Sequence, residues 1–143
     1  MFIDDEELIE AEVFYKKEGR HYLAYNTEIF KNMDLSEEEQ KEYTKLTVKL
    51  KPLTWGLYNE LQEAAMVSDN LGNRKWNYKA FKENKLRGII AKWDAKIKDD
   101  EDKLVIAPIN PKTIRAIAPD IAEVIINTYD QITLIDEDEE KKS

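Results

Sequence analysis

The sequence is poor in the residues on which most enzyme and metal sites depend. It has no cysteine, one histidine and four glycines among 143 residues. Without cysteine there is neither a disulfide framework nor thiol chemistry, and a single histidine offers no paired spacing for a metal ion. A glycine-rich phosphate loop is also missing. The sequence therefore predicts a non-catalytic protein, with no catalytic residue, no cofactor and no metal site.

Long apolar runs are missing as well. No stretch approaches the roughly twenty apolar residues that cross a bilayer, and the first residues are acidic, unlike the basic start of a signal peptide. The formal net charge of −8 argues against a general affinity for nucleic acid or anionic membranes. We expect a cytosolic or host-cell soluble protein with neither a membrane nor a nucleic-acid partner.

Acidic residues are abundant and unevenly distributed. They cluster in residues 4–12, 99–102 and 136–140. A chain of this length fits one domain, so the sequence predicts a single domain over 1–143, with residues 1–11 and 136–143 as acidic, flexible ends. The two later clusters lack the spaced loop, glycine and terminal glutamate of an EF-hand, so neither is predicted to be a calcium site.

A basic tract lies between the acidic clusters. Residues 74–98 contain nine lysines and arginines against Glu83 and Asp94, a local excess of seven positive charges. One interpretation is a solvated helix whose charges keep it soluble. The alternative is a docking face for an acidic partner, including the acidic ends of a second copy in a homo-oligomer. Nucleic-acid binding is disfavoured, because the rest of the chain would repel it.

The first part of the chain has the pattern of an antiparallel β-sheet. Residues 12–25 contain Val13 and four aromatic residues, with two aromatics on each side of Gly19, which favours a hairpin. Leu46, Val48 and Leu50 then alternate with polar residues, as in a third strand with one buried face. We predict a small β-meander over about residues 12–51.

The rest of the chain has helical periodicity. Pro52 ends the strand pattern, and Thr54 is placed to cap a helix over about 54–67. A second predicted helix, about 77–98, carries the apolar stripe Leu86, Ile89, Ile90, Trp93 and Ile97. Prolines begin two more, about 111–117 and 119–133. The predicted fold class is α+β, with the meander packed against three to four helices.

Four residues stand out as candidates for partner binding. Trp55 lies off the apolar stripe of the first predicted helix, which makes it a possible exposed anchor. Lys85, Lys92 and Lys96 are spaced seven and four residues apart, so they share one flank of the second predicted helix. We predict that these lysines contact an acidic surface.

Three short runs carry a resemblance to a known family. They are LTWGLYNELQEA at residues 53–64, KLRGIIAKWD at 85–94 and IAPDIAE at 117–123. Together they resemble the small tail assembly chaperones of long-tailed bacteriophages, over roughly residues 46–132. In that group a leucine-threonine-tryptophan helix start is often followed by an arginine-rich helix ending in tryptophan-aspartate, and by a last helix that begins with proline.

The resemblance implies a mainly helical protein that binds other tail proteins. Such a chaperone coats the tape-measure protein, keeps it soluble in the host cytoplasm and recruits tube subunits. Residues 1–45 depart from the compact helical plan of the family, which leaves a second possibility: a related virion protein of the tail, baseplate or neck. An unrelated adaptor or inhibitor is a third.

Overall fold

The computed structural model describes residues 1–142, with side chains up to Thr133. It confirms the α+β class: a four-stranded antiparallel sheet packs against helices, and two small β-hairpins lie outside it. The elements in chain order are β1 Ile9–Glu18, β2 His21–Asn26, α1 Thr27–Asn32, α2 Glu37–Lys41, β3 Thr44–Leu50, α3 Trp55–Ala64, β4 Met66–Ser68, β5 Arg74–Trp76, α4 Tyr78–Ile89, β6 Ile90–Trp93, β7 Lys96–Lys98, β8 Leu104–Ile106, α5 Pro111–Arg115 and α6 Pro119–Lys142.

The strand order of the main sheet is β2-β1-β3-β6, which differs from a meander. β1 and β2 form the predicted hairpin, and Gly19 adopts a φ of 62° at its turn, a conformation that glycine reaches without steric cost. β3 then pairs with β1 rather than with β2. The reason is the connection over residues 27–43, where α1 and α2 carry the chain from β2 past β1. A meander would need a short turn there.

The predicted helix over 77–98 is wrong beyond Ile89. Residues Ile90–Trp93 form β6 and pair with β3, whose other edge is already paired with β1. The Lys51 amide donates to the Ile89 carbonyl at 2.7 Å, and the Thr47 amide donates to the Asp94 carboxylate at 2.7 Å. Satisfying the open edge of β3 therefore ends the helix.

The core lies between the main sheet and the helices. Val48 and Leu50 of β3 are fully buried, as are Ile125 and Tyr129 of α6, and all four belong to one apolar cluster. Trp93 of β6 joins the same cluster, and its indole nitrogen donates to the Ala107 carbonyl at 2.7 Å. α6 thus covers the sheet, as expected for a helix with one apolar face.

Helices α3 and α4 approach each other closely at Gly88. A Cβ on this glycine would lie 2.9 Å from Cδ2 of Leu61 and 3.9 Å from Cδ1 of Leu57. Leu61 is buried, so its side chain has little room to move away. The glycine in the last turn of α4 is therefore explained by packing against α3, a role that its sequence context did not indicate.

The helix starts agree with the predictions better than the helix ends. Thr54 caps α3 by accepting from the Leu57 amide at 3.1 Å, and Asn110 forms a capping box with Thr113 at the start of α5. By contrast, α3 stops at Ala64 rather than at residue 67, because β4 follows at once. α5 stops at Arg115, two residues early.

Two predictions concern the acidic ends. The predicted end of the last helix at about residue 133 is wrong, since α6 continues to Lys142. The side chains of residues 136–143 lie outside the described residues, as does Ser143 as a whole. The predicted flexibility of this end therefore stays a prediction. At the start of the chain, residues 9–11 are part of β1 and pair with β3, so a flexible segment over 1–11 is too long.

Tyr129 gives a stability prediction. It is fully buried, and its hydroxyl has no hydrogen-bond partner among the described residues. Burial, helped by the neighbouring Asp130 charge, raises the pKa of Tyr129 well above its usual value, so the hydroxyl stays neutral. Tyr129→Phe removes an unsatisfied group and should leave the free energy of unfolding unchanged or raise it by about 1 kcal/mol. Urea unfolding measures this, and a loss of more than about 1 kcal/mol would show that the hydroxyl has a partner.

Candidate protein-binding surface

Trp55 is the first residue of α3, and its side chain is 80% exposed. The other two tryptophans are anchored by hydrogen bonds. Trp93 is 9% exposed and bonded to Ala107, while the Trp76 indole donates to the Gln62 side chain at 2.9 Å and packs against Phe81. α3 turns Leu61 toward the core, and Trp55 lies outside that buried side. The predicted exposure of Trp55 is confirmed.

Trp55 borders an open groove of about 650 Å³, which we call the Trp55 groove. Its walls come from the segment before β1, the residues that lead into α3, the first turns of α3, and α6. They are Ile3, Asp4, Glu7, Leu8, Ile9, Pro52, Leu53, Thr54, Trp55, Tyr58, Ile132 and Thr133. Most of these side chains are apolar, so the groove presents a hydrophobic surface to solvent beside an exposed indole.

The segment before β1 is shaped by a turn. The Asp4 carboxylate accepts from the Glu6 amide at 2.9 Å, and the Asp4 carbonyl accepts from the Glu7 amide at 3.1 Å. Such a local side-chain bond favours turns. Phe2 and Ile3 before the turn are exposed. This segment therefore brings apolar and acidic side chains to the same wall of the Trp55 groove.

The structure separates the three lysines that the sequence placed on one flank of a helix. Lys85 lies in α4, Lys92 in β6 and Lys96 in β7, because α4 ends at Ile89. Lys92 and Lys96 are exposed, and Lys92 lies opposite Lys49 of β3. The prediction of a common lysine flank is wrong.

The Lys85 side chain makes its contacts within the fold. Its side chain is 13% exposed and forms an ion pair with Asp130 of α6, which is 33% exposed. Its ammonium group also lies 5.2 Å from the Phe81 ring centre and 5.8 Å from that of Tyr129, within the range of a cation–π contact. Lys85 therefore links α4 to α6 and is not available as a partner-binding residue.

Other charges of the basic tract are paired in the same way. Lys82 bonds to Glu123 of α6, and this hydrogen bond raises the pKa of Lys82. Arg74 pairs with Glu63 of α3, and Arg87 lies 3.9 Å from Glu83 within α4. Three positive charges of the basic tract, those of Arg74, Lys82 and Lys85, are thus paired with carboxylates of α3 and α6.

Among the described residues, no group of three or more histidine, aspartate or glutamate side chains is arranged to hold a metal ion. No helix in this part of the chain is long and apolar enough to cross a membrane.

No protein-family model, curated protein or solved structure matches this chain. The resemblance to tail assembly chaperones therefore depends on the three sequence runs. The first run contributes Thr54, Trp55 and α3, the second the end of α4 with β6, and the third the start of α6.

Proposed function

We propose that this chain is a non-catalytic tail assembly protein of a long-tailed bacteriophage, which binds the tape-measure protein as a chaperone in the host cytoplasm. The observation that carries the protein-binding part is the exposed Trp55 indole beside the Trp55 groove. Tryptophan is enriched among residues that dominate binding energy, and exposed apolar surface is typical of interaction sites. The proposed role in tail assembly is based on the three sequence runs that resemble the tail assembly chaperones.

The contrast within those runs supports a binding role for Trp55. Thr54 caps α3, Gly88 allows the close approach of α3 and α4, and Trp93 is buried with its indole hydrogen-bonded. These residues are explained by folding alone. Trp55 has no such role among the described residues, and a large aromatic side chain in water is more easily explained by a partner than by stability.

The test is co-expression of this chain with the tape-measure protein of the same phage. Trp55→Ala should weaken the complex about tenfold or more, as expected for an anchoring tryptophan, without changing the thermal midpoint. Leu71→Ala is the matched control. Leu71 is also highly exposed, but it lies in the β4–β5 turn, and that hairpin packs at the far end of α3, where Trp76 bonds to Gln62.

Affinity and stability are measured on the same purified variants by calorimetric titration and thermal unfolding. Equal affinity of wild type and Trp55→Ala would contradict the proposal. So would an equal loss in Leu71→Ala, because the effect would then not be specific to the Trp55 groove.

A structural virion protein of the tail, baseplate or neck is the second candidate. The observation that favours it is the four-stranded sheet, three strands of which come from residues 9–50, since the resembling family is mainly helical. Mass spectrometry of purified virions separates the two functions. A chaperone should be absent or sparse after assembly, whereas a structural subunit should remain at a fixed copy number.

A further inference from the structure

The ion pairs leave an imbalance of charge on the surface. Lysines and arginines of the basic tract pair with carboxylates of α3, α4 and α6. Residues 4–7 are all acidic, and none of them forms an ion pair with a described side chain. The negative charge of residues 4–7 is therefore open to a partner.

This open negative charge lies beside the apolar Trp55 groove. Asp4 and Glu7 line it together with Trp55 and Tyr58. The acidic stretch over residues 4–7 therefore borders the apolar groove.

We infer that the Trp55 groove takes an amphipathic segment of the partner that carries lysines or arginines beside an apolar face. The apolar face would pack on Trp55 and Tyr58, while the basic residues would lie against the carboxylates of residues 4–7. A groove of about 650 Å³ is of the size that holds a few side chains, which fits a peptide segment better than the flat face of a domain. This inference rests on the proposed function, because it describes the chemistry of the partner at the same groove.

Opposite charges at the rim of an interface mainly raise the association rate and exclude wrong partners. The inferred partner is the reverse of the acidic one that the sequence predicted. The reversal follows from Lys85, which is paired with Asp130 within the fold, and from Glu7, which lines the groove and has no ion-pair partner among the described side chains.

The test uses two designed helical peptides and the full chain. Both peptides carry the same leucine face, one with lysines and the other with glutamates on the polar face, and binding is followed by fluorescence anisotropy at physiological salt. The lysine peptide should bind and the glutamate peptide should not. The double variant Glu6→Lys/Glu7→Lys should weaken binding of the lysine peptide about tenfold, because it replaces two weak attractions by repulsions.

Glu37→Lys/Glu38→Lys is the matched control. It changes the net charge equally, at exposed positions of α2. α2 leads into the start of β3, whereas the groove lies at the other end of that strand, beside Pro52. Binding within twofold of wild type is expected for this control. An equal loss in both double variants would overturn the inference, because only net charge would matter, and so would equal binding of the two peptides.

Failure of the inference and failure of the proposed function have different signatures. If the tape-measure protein binds through Trp55 but Glu6→Lys/Glu7→Lys binds it as well as wild type, the partner segment is not basic and only the inference is wrong. If the lysine peptide binds as expected but the tape-measure protein does not bind, the groove chemistry stands and the proposed function is wrong. A second copy at the groove would also overturn the inference. Its signature in analytical ultracentrifugation is a wild-type dimer that becomes a monomer in Trp55→Ala.

Discussion

Trp93→Ala should lower the free energy of unfolding by about 3–5 kcal/mol, the usual cost of truncating a buried aromatic residue. Trp93 is 9% exposed in the core between β6 and the helices, and its indole satisfies the carbonyl of Ala107. The substitution leaves a cavity and also removes this hydrogen bond. A buried carbonyl without a partner is itself costly.

The informative comparison is Trp55→Ala, which removes the same side chain from a position 80% exposed. It should change the free energy of unfolding by no more than about 0.5 kcal/mol. Urea unfolding of both variants, followed by circular dichroism, measures the two effects in one assay. Similar losses in the two variants would mean that Trp55 is packed in solution, and the protein-binding proposal would lose its main support.

The parts of the fold that sequence predicts are those with a local physical cause. Pro52 and Thr54 mark the change from β3 to α3, because proline interrupts the strand pattern and the threonine hydroxyl satisfies a free amide. Gly19 marks the β1–β2 turn for an equally local reason, its positive φ. The class α+β follows from these junctions.

The parts that sequence could not predict depend on distant segments. Of the predicted helical stripe, Leu86, Ile89, Ile90 and Trp93 are buried, yet two of them lie in β6. Ile97, the last residue of the stripe, is exposed in β7. Over so few residues, periodicity does not distinguish a buried helix from a buried strand. The open edge of β3 decides the outcome, and it lies more than thirty residues earlier in the chain.

The candidate site also has features with a local cause and features that depend on distant segments. The exposure of Trp55 was predicted, because it depends on the helical phase of α3 alone. The groove was not, since its walls combine residues 3–9, 52–58 and 132–133. The basic tract was misinterpreted because Lys82 and Lys85 pair with carboxylates 41 and 45 residues further along the chain.

Lys85→Glu should destabilise the fold, in contrast to the same substitution at the two exposed lysines. Removing one partner of a fully buried ion pair costs about 3–5 kcal/mol, whereas exposed pairs contribute only about 0 to 1 kcal/mol. Lys85 is 13% and Asp130 33% exposed, so the pair lies between these limits. Charge reversal also places two carboxylates together, and we expect a loss of about 2 kcal/mol.

Lys92→Glu and Lys96→Glu are the controls. Lys92 lies opposite Lys49 on the neighbouring strand, so a glutamate there replaces a cross-strand repulsion by an attraction and should be neutral or slightly stabilising. Thermal and urea unfolding of the three variants provide the comparison. Adding Asp130→Lys to Lys85→Glu restores opposite charges in exchanged positions and should recover part of the lost stability, which identifies the pair rather than the single residue as the cause. If Lys85→Glu unfolds at the wild-type midpoint, the ion pair does not hold α4 against α6, and Lys85 would again be available to a partner.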